Sequence, residues 1–336
     1  MNLFRLFILV ALFGTLLLSS SCENDVDINA DYQEITIVYG LLNQTEARQY
    51  VKVTKAFQTE GNVLVAAKDP ANSMYDPKDL EVWMDEYFGS AYKGTIYLDS
   101  VMITNKDSGA FYYPNEIVYA TPPGTKLNSL YEYRLYIKVK SSGRLIEGRT
   151  RLIRDFMITR PLPQQEYVSF TGNYNQQVVW ESAKGGVLHQ LNIRFFYTEV
   201  SQSGVQTSHY VDLLFSPKQA STAEGSEKMT LEYSGNAFYQ NLAAQLDPPP
   251  AGVVRYADSV YYMFNVADED FTTFMDINKP SGSIVQERPA FSNITNGVGL
   301  FSARYSKIKY FKGLTAKSID TLISGQYTYD LGFKDR

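Results

Sequence analysis

Tyr131-Glu132-Tyr133-Arg134-Leu135-Tyr136-Ile137-Lys138-Val139-Lys140 alternates with a period of two. Successive side chains of a strand point to opposite faces. Tyr131, Tyr133, Leu135, Ile137 and Val139 therefore share one face, and charged residues with Tyr136 share the other. One apolar and one polar face predicts a half-buried antiparallel strand. Ser141-Ser142-Gly143-Arg144 supplies a turn, and residues 145–153 return as the partner strand. Upstream, Leu80-Glu81-Val82-Trp83-Met84 alternates in the same way after the breaker Asp76-Pro77. Ile35-Thr36-Ile37-Val38-Tyr39 and Tyr50-Val51-Lys52-Val53-Thr54 read as an opening hairpin around the polar loop 43–48.

Downstream the pattern continues beyond a proline-rich break. Pro161-Leu162-Pro163 removes ladder donors and stiffens the chain, so residues 159–166 are predicted as a linker. Residues 32–158 then form an N-terminal β-sandwich domain, and 167–336 a C-terminal β-sandwich-like domain. The second half opens with Val178-Val179-Trp180, a Gly185-Gly186 turn and a long strand over 188–200. A tryptophan, a turn and an alternating strand resemble a fibronectin III or immunoglobulin-like sandwich. Two short amphipathic helices are predicted in this half. One spans 236–246, with Phe238, Leu242 and Leu246 on one face; the other spans 268–278, with Asp268 as its N-cap. The expected class is all-β, with tandem immunoglobulin/fibronectin III-like sandwiches. The 26 Tyr and 19 Phe suit such pleated, half-buried surfaces.

Near its start the chain carries Arg5, an apolar run over 6–18 and Ser19-Ser20-Ser21-Cys22. A positive charge, a short apolar stretch and small residues predict a signal peptide over 1–21. The run is too short to cross about 30 Å of hydrocarbon. Cys22 is the only cysteine, so it has no disulfide partner and is read as the lipidated residue. Ser19 stands where a lipobox usually holds Leu, with Leu18 one place earlier; Bacteroidota lipoproteins are known for relaxed versions of this motif. Residues 22–31 are the expected lipidated tether. Their acids Glu23, Asp25 and Asp27 resemble the Bacteroidota signal that sends lipoproteins to the cell surface. The expected location is the outer membrane, lipid-anchored and facing the exterior. Removing 1–21 takes away Arg5, so the formal charge passes from −5 to −6. A mildly acidic body without a basic cluster argues against a nucleic-acid partner.

Candidate chemistry is sparse, and no catalytic residue, cofactor or metal is predicted. His189 and His209 lack metal-ligand spacing, and His189 falls inside a predicted strand. Ser208-His209 with Asp212 offers triad residue types, but neighbours on one strand do not converge on a substrate. Asp268-Glu269-Asp270 has calcium-binding oxygens, yet acids in a first helical turn more commonly complement the helix dipole. Gly297-Val298-Gly299 lacks the rest of a phosphate loop. Tyr112, Tyr113, Tyr119, Tyr261 and Tyr262 could line a sugar- or peptide-binding surface, although core and cross-strand packing is the plainer role. Asp99-Ser100-Val101, Asp258-Ser259-Val260 and Asp320-Thr321-Leu322 fit the Bacteroidota O-glycosylation pattern, making Ser100, Ser259 and Thr321 candidate acceptors.

The stretch Glu287-Arg288-Pro289-Ala290-Phe291-Ser292-Asn293-Ile294-Thr295-Asn296-Gly297-Val298-Gly299-Leu300-Phe301 resembles a C-terminal signature of uncharacterised Bacteroidota outer-membrane lipoproteins with immunoglobulin-like β domains. The opening Ile37-Val38-Tyr39-Gly40-Leu41-Leu42 is similar to the same family. Physically the signature reads as a turn at Asn296-Gly297, with Gly299 allowing close packing before Leu300-Phe301 enters a strand. The resemblance implies a non-enzymatic accessory lipoprotein working with a TonB-dependent transporter in nutrient uptake. An alternative expectation is a structural subunit of a fimbria-like appendage, processed after Arg48 and assembled by strand donation.

Overall fold

The alternating stretch at 131–140 becomes a strand whose inward side chains, Tyr133, Leu135, Ile137 and Val139, are all buried. The computed structural model describes residues 34–59, 61–172, 175–279 and 290–336. The signal peptide, Cys22 and the tether lie outside the described residues, as do Glu287, Arg288 and Pro289. The first half contains β1 (Thr36–Leu42), β2 (Tyr50–Lys55), β3 (Leu80–Phe88), β4 (Ala91–Ile103), β5 (Glu116–Ala120), β6 (Glu132–Val139) and β7 (Leu145–Arg151). It also holds two single-turn helices, α1 (Val63–Ala66) and α2 (Pro70–Ser73), which the sequence reading did not include. Next come β8 (Ile158–Arg160), β9 (Tyr167–Val168), β10 (Asn175–Glu181), β11 (Leu188–Val200), β12 (Gln206–Leu214), β13 (Lys218–Gln219) and β14 (Lys228–Ser234). The remainder is α3 (Gly235–Gln245), β15 (Val254–Ala267), α4 (Glu269–Asn278), β16 (Ile294–Thr295), β17 (Val298–Phe311), β18 (Gly313–Leu314), α5 (Ala316–Ser324) and β19 (Phe333–Lys334).

Among the described residues strand outweighs helix, 46% to 14%, which places the protein in the all-β class. Both predicted helices form, and Asp268 caps α4 by accepting from the Phe271 amide. A third helix of the second half, α5, was missed, although Ile319, Leu322 and Ile323 recur at helical spacing.

The sheet arrangement differs from two separate sandwiches. Fourteen strands form one mixed sheet, with the path β12-β11-β15-β17-β1-β2-β5-β4-β3-β6-β7-β16; β13 and β19 branch from it. Two long strands change neighbours midway. The first part of β4 pairs with β3 and its last five residues pair with β5. The first part of β17 runs parallel to β1, and its second part runs antiparallel to β15. A strand from the end of the chain therefore joins the first half to the second. Ile35–Arg336 form one compact unit, so the predicted division into 32–158 and 167–336 does not separate two bodies. The predicted linker 159–166 is also tied down: Ile158–Arg160 bonds to β10, and the Lys309 ammonium donates to the Pro163 carbonyl.

The signature segment makes this join. Asn296 adopts a left-handed φ of 57°, and its side-chain amide donates to the Leu145 carbonyl at 2.9 Å. Asn293 brackets Phe301, accepting from its amide at 2.9 Å and donating to its carbonyl at 2.8 Å. Gly299 has φ of 125°, and a Cβ there would stand 2.0 Å from the Val38 carbonyl oxygen. Only glycine fits where β17 lies this close to β1. Phe301 is fully buried, and at about 25 cal/mol per Å² its burial contributes roughly 2–3 kcal/mol. A Cβ on Gly148 of β7 would meet Phe301 at 2.9 Å, so glycine there too permits close contact.

Candidate functional site

The histidines sit in structural positions. His189 is buried, lies edge-on to Phe156 with centroids 5.6 Å apart, and has its pKa lowered to about 4 by burial. His209 stacks on Tyr197, and its Nε2 lies 3.5 Å from Glu199. Asp212 does not turn to His209. Arg194 grips it with two 2.8 Å bonds and holds its carboxyl below the ordinary carboxylate range.

Asp268 is a junction. Its carboxylate accepts from the Phe271 and Ala303 amides at 2.9 Å, from the Ser302 hydroxyl, and from Thr150 Oγ1 at 3.4 Å. These contacts fasten α4 to β17 and to β7. Burial nevertheless raises its carboxyl above the usual range. Asp270 accepts from Asn293 at 2.7 Å. Of the three acids considered for calcium, Asp268 and Asp270 are thus engaged with protein donors while Glu269 is not, and no group of three His, Cys, Asp or Glu able to hold a metal occurs among the described residues.

The five tyrosines divide. Tyr119 and Tyr262 are buried, and the Tyr262 hydroxyl shares a 2.7 Å hydrogen bond with Tyr233. Tyr113 is exposed, whereas Tyr112 and Tyr261 are half-buried. Among the glycosylation candidates, Ser100 is exposed on β4 opposite Tyr119. Ser259 is half-buried on β15, and Thr321 Oγ1 is spent on the Lys317 carbonyl at 2.9 Å. The structure does not bring these three together. Arg48 donates through Nε to the Thr121 carbonyl at 2.7 Å.

A row of four aromatic rings lies on the outer face of β12-β11-β15-β17. Tyr210 on β12 faces Phe196 on β11, with centroids 6.1 Å apart; Phe196 meets Tyr261 on β15 at 4.8 Å; Tyr261 meets Tyr310 on β17 at 5.4 Å. Tyr210, Leu214, Ile308 and Tyr310 are each more than half exposed. Arg194 lies over the Tyr210 ring at 3.9 Å, placing an ion pair with Asp212 beside the row. At one end the face enters a groove of about 370 Å³ beneath α4, lined by Leu188, Val266, Phe271 and Met275. An uncovered apolar patch rimmed by polar groups has the composition of a recognition surface.

The sequence reading found Tyr261 but missed Phe196, Tyr210, Ile308 and Tyr310. A signal was present. β11 and β15 carry large apolar residues on both faces: Ile193, Phe195 and Tyr197 against Phe196, and Val260, Tyr262 and Phe264 against Tyr261 and Met263. An antiparallel strand normally needs only one apolar face. Alternation alone does not say which face is covered. A comparison of the chain with protein-family models and with curated proteins found no match to either.

Proposed function

We propose that the protein is a non-enzymatic, lipid-anchored outer-membrane protein of the cell exterior. Its partner in this reading is a TonB-dependent β-barrel transporter, and its role is accessory to nutrient uptake. One observation carries the recognition part: an aromatic row crosses four adjacent strands and is left uncovered on the outer face. Tyrosines combine apolar area with a polar tip and dominate protein interfaces when clustered. Anchoring through Cys22 raises the effective concentration at the membrane to roughly millimolar, so modest affinity is enough. The immunoglobulin-like character of each half belongs to the same proposal. It is supported by β4 and β17, which change neighbours midway as a sheet folding over on itself requires.

The test is gentle extraction of the lipidated protein from native membranes. An outer-membrane β-barrel should co-purify with the wild type. Tyr210→Ser with Tyr310→Ser should cut recovery by an order of magnitude or more, since anchor residues contribute about 2 kcal/mol each. Recovery of no barrel, or undiminished recovery with the variant, refutes the proposal. The appendage reading has one supporting observation. Cleavage after Arg48 would remove β1, which is bonded to β2 on one side and to β17 on the other, and so open a strand-wide slot. A mature N-terminus at residue 49 rather than 22 would favour that reading.

A further inference from the structure

A second cavity, with no lining residue in common with the groove of the aromatic face, lies at the junction of the two halves. It has a volume of about 800 Å³, within the range of small-ligand sites. The first half contributes Phe88, Leu130, Tyr131, Arg149 and Arg154 to its wall; the loops after β10 and before β14, and the start of α4, supply the other side. Most charges in it are already compensated. Arg151 pairs with Glu132 at 3.1 Å, and Lys184 with Glu224 at 3.0 Å. Asp268 and Asp270 accept from protein donors. Three charged side chains are left without any partner: Arg149, Arg154 and Glu269, none with a side-chain hydrogen bond, ion pair or ring contact.

That remainder is selective. Every other arginine among the described residues has a partner: Arg48 and Arg144 bond to neutral groups, Arg160 to Gln177, and the rest to carboxylates. The two without one line the same cleft. Glu269, of opposite sign, lines it too, yet lies within 4.0 Å of neither. Each of the three backbones is fixed by its own contacts. Arg149 is locked in β7 opposite Arg134 of β6. The Arg154 amide donates to the Lys184 carbonyl at 2.8 Å. Glu269 follows the Asp268 cap.

We propose that this cleft binds a zwitterionic ligand, a short peptide with free ends. Arg149 and Arg154 hold its carboxylate and Glu269 holds its ammonium group. Guanidinium forks suit planar carboxylates and bind them by paired, charge-assisted hydrogen bonds. Phe88, Leu130 and Tyr131 give side chains an apolar wall. Unpartnered groups of both signs in one cleft suit a ligand that carries both charges better than a simple polyanion or a simple cation.

Calorimetry on the detergent-solubilised full chain tests this with four probes: trialanine, N-acetyl-trialanine, trialanine amide and inorganic phosphate. Trialanine should bind, and each cap should weaken binding roughly tenfold or more. Arg149→Gln with Arg154→Gln should abolish the preference for a free carboxylate. Glu269→Gln should abolish the preference for a free amine. Since these side chains are exposed and unpaired, melting temperatures should stay near wild type. Affinity of trialanine weaker than about 10 mM would overturn the proposal. So would phosphate or the acetylated peptide binding as tightly as trialanine, or variants that bind like the wild type. None of these outcomes depends on the aromatic face.

Discussion

Gly299→Ala is the sharpest probe of how the chain closes. The residue has φ of 125°, outside the range that L side chains favour, and its new Cβ would stand 2.0 Å from the Val38 carbonyl oxygen and 3.0 Å from the Val38 nitrogen. Backbone strain of this kind costs about 1–3 kcal/mol. Relieving the clash means moving β1 from β17, which adds about 1–3 kcal/mol of the kind seen on overpacking. The sum is about 2–6 kcal/mol, which for a chain of this size lowers the melting temperature by on the order of 5–10 °C. Gly143→Ala is the control, because φ there is 69° but nothing lies within 4 Å of the new Cβ. It should cost only about 1 kcal/mol. Thermal unfolding followed by circular dichroism, on protein lacking residues 1–22, gives both values. A Gly299→Ala protein that melts within a degree of wild type, or no lower than Gly143→Ala, refutes the parallel β1–β17 closure.

Other outcomes follow from the same contacts. A protease nick beside the exposed Leu162 should leave both pieces together on native size exclusion, because β17 is bonded to both halves; dissociation would contradict the shared strand. Burial holds His189 near pKa 4 against an ordinary 6.5, so the unfolded chain takes up the proton first as pH falls. Stability is therefore full above pH 6.5 and declines towards pH 4, by about 3 kcal/mol at 1.36 kcal/mol per unit. His189→Leu should flatten that part of a urea-denaturation pH profile, and an unchanged slope would remove the assignment. Cys22→Ala should abolish fatty-acid labelling and release the protein from membranes; persistent labelling would show a different anchor. If the native protein carries O-glycan, Ser100→Ala should remove more mass than Thr321→Ala, since only Ser100 is exposed.

Local structure was legible to the degree that one face of an element was apolar and the other polar. β6 and β7 could be read from Tyr133, Leu135, Ile137 and Val139 because burying that face sets strand and turn together. The 188–200 strand after Trp180 was legible from its long β-branched and aromatic run, and the Asp268 cap because its hydrogen bond is made within three residues. Asn296 could be read as a turn because a short amide side chain tolerates left-handed backbone.

Partner choice was not legible. Nothing in the local pattern of Val298-Gly299-Leu300-Phe301 states that it pairs with β1, some 260 residues earlier in the chain. Long-range parallel pairing depends on loop closure and on the fit of Phe301 against Gly40 and Gly148, which are properties of the assembled sheet. The prolines at 161 and 163 therefore suggested a boundary that β17 crosses. The aromatic row was hidden for a related reason. Period-two alternation separates two faces but leaves their environments unassigned, and only packing decides that Tyr262 is inside and Tyr261 outside. The sequence by itself determined strand-rich elements, which side chains share a face and where the turns fall, because those depend on neighbours in the chain. Tertiary structure alone decided the single sheet, the uncovered aromatic face and the cleft with Arg149, Arg154 and Glu269, because each is made from residues that only folding brings together.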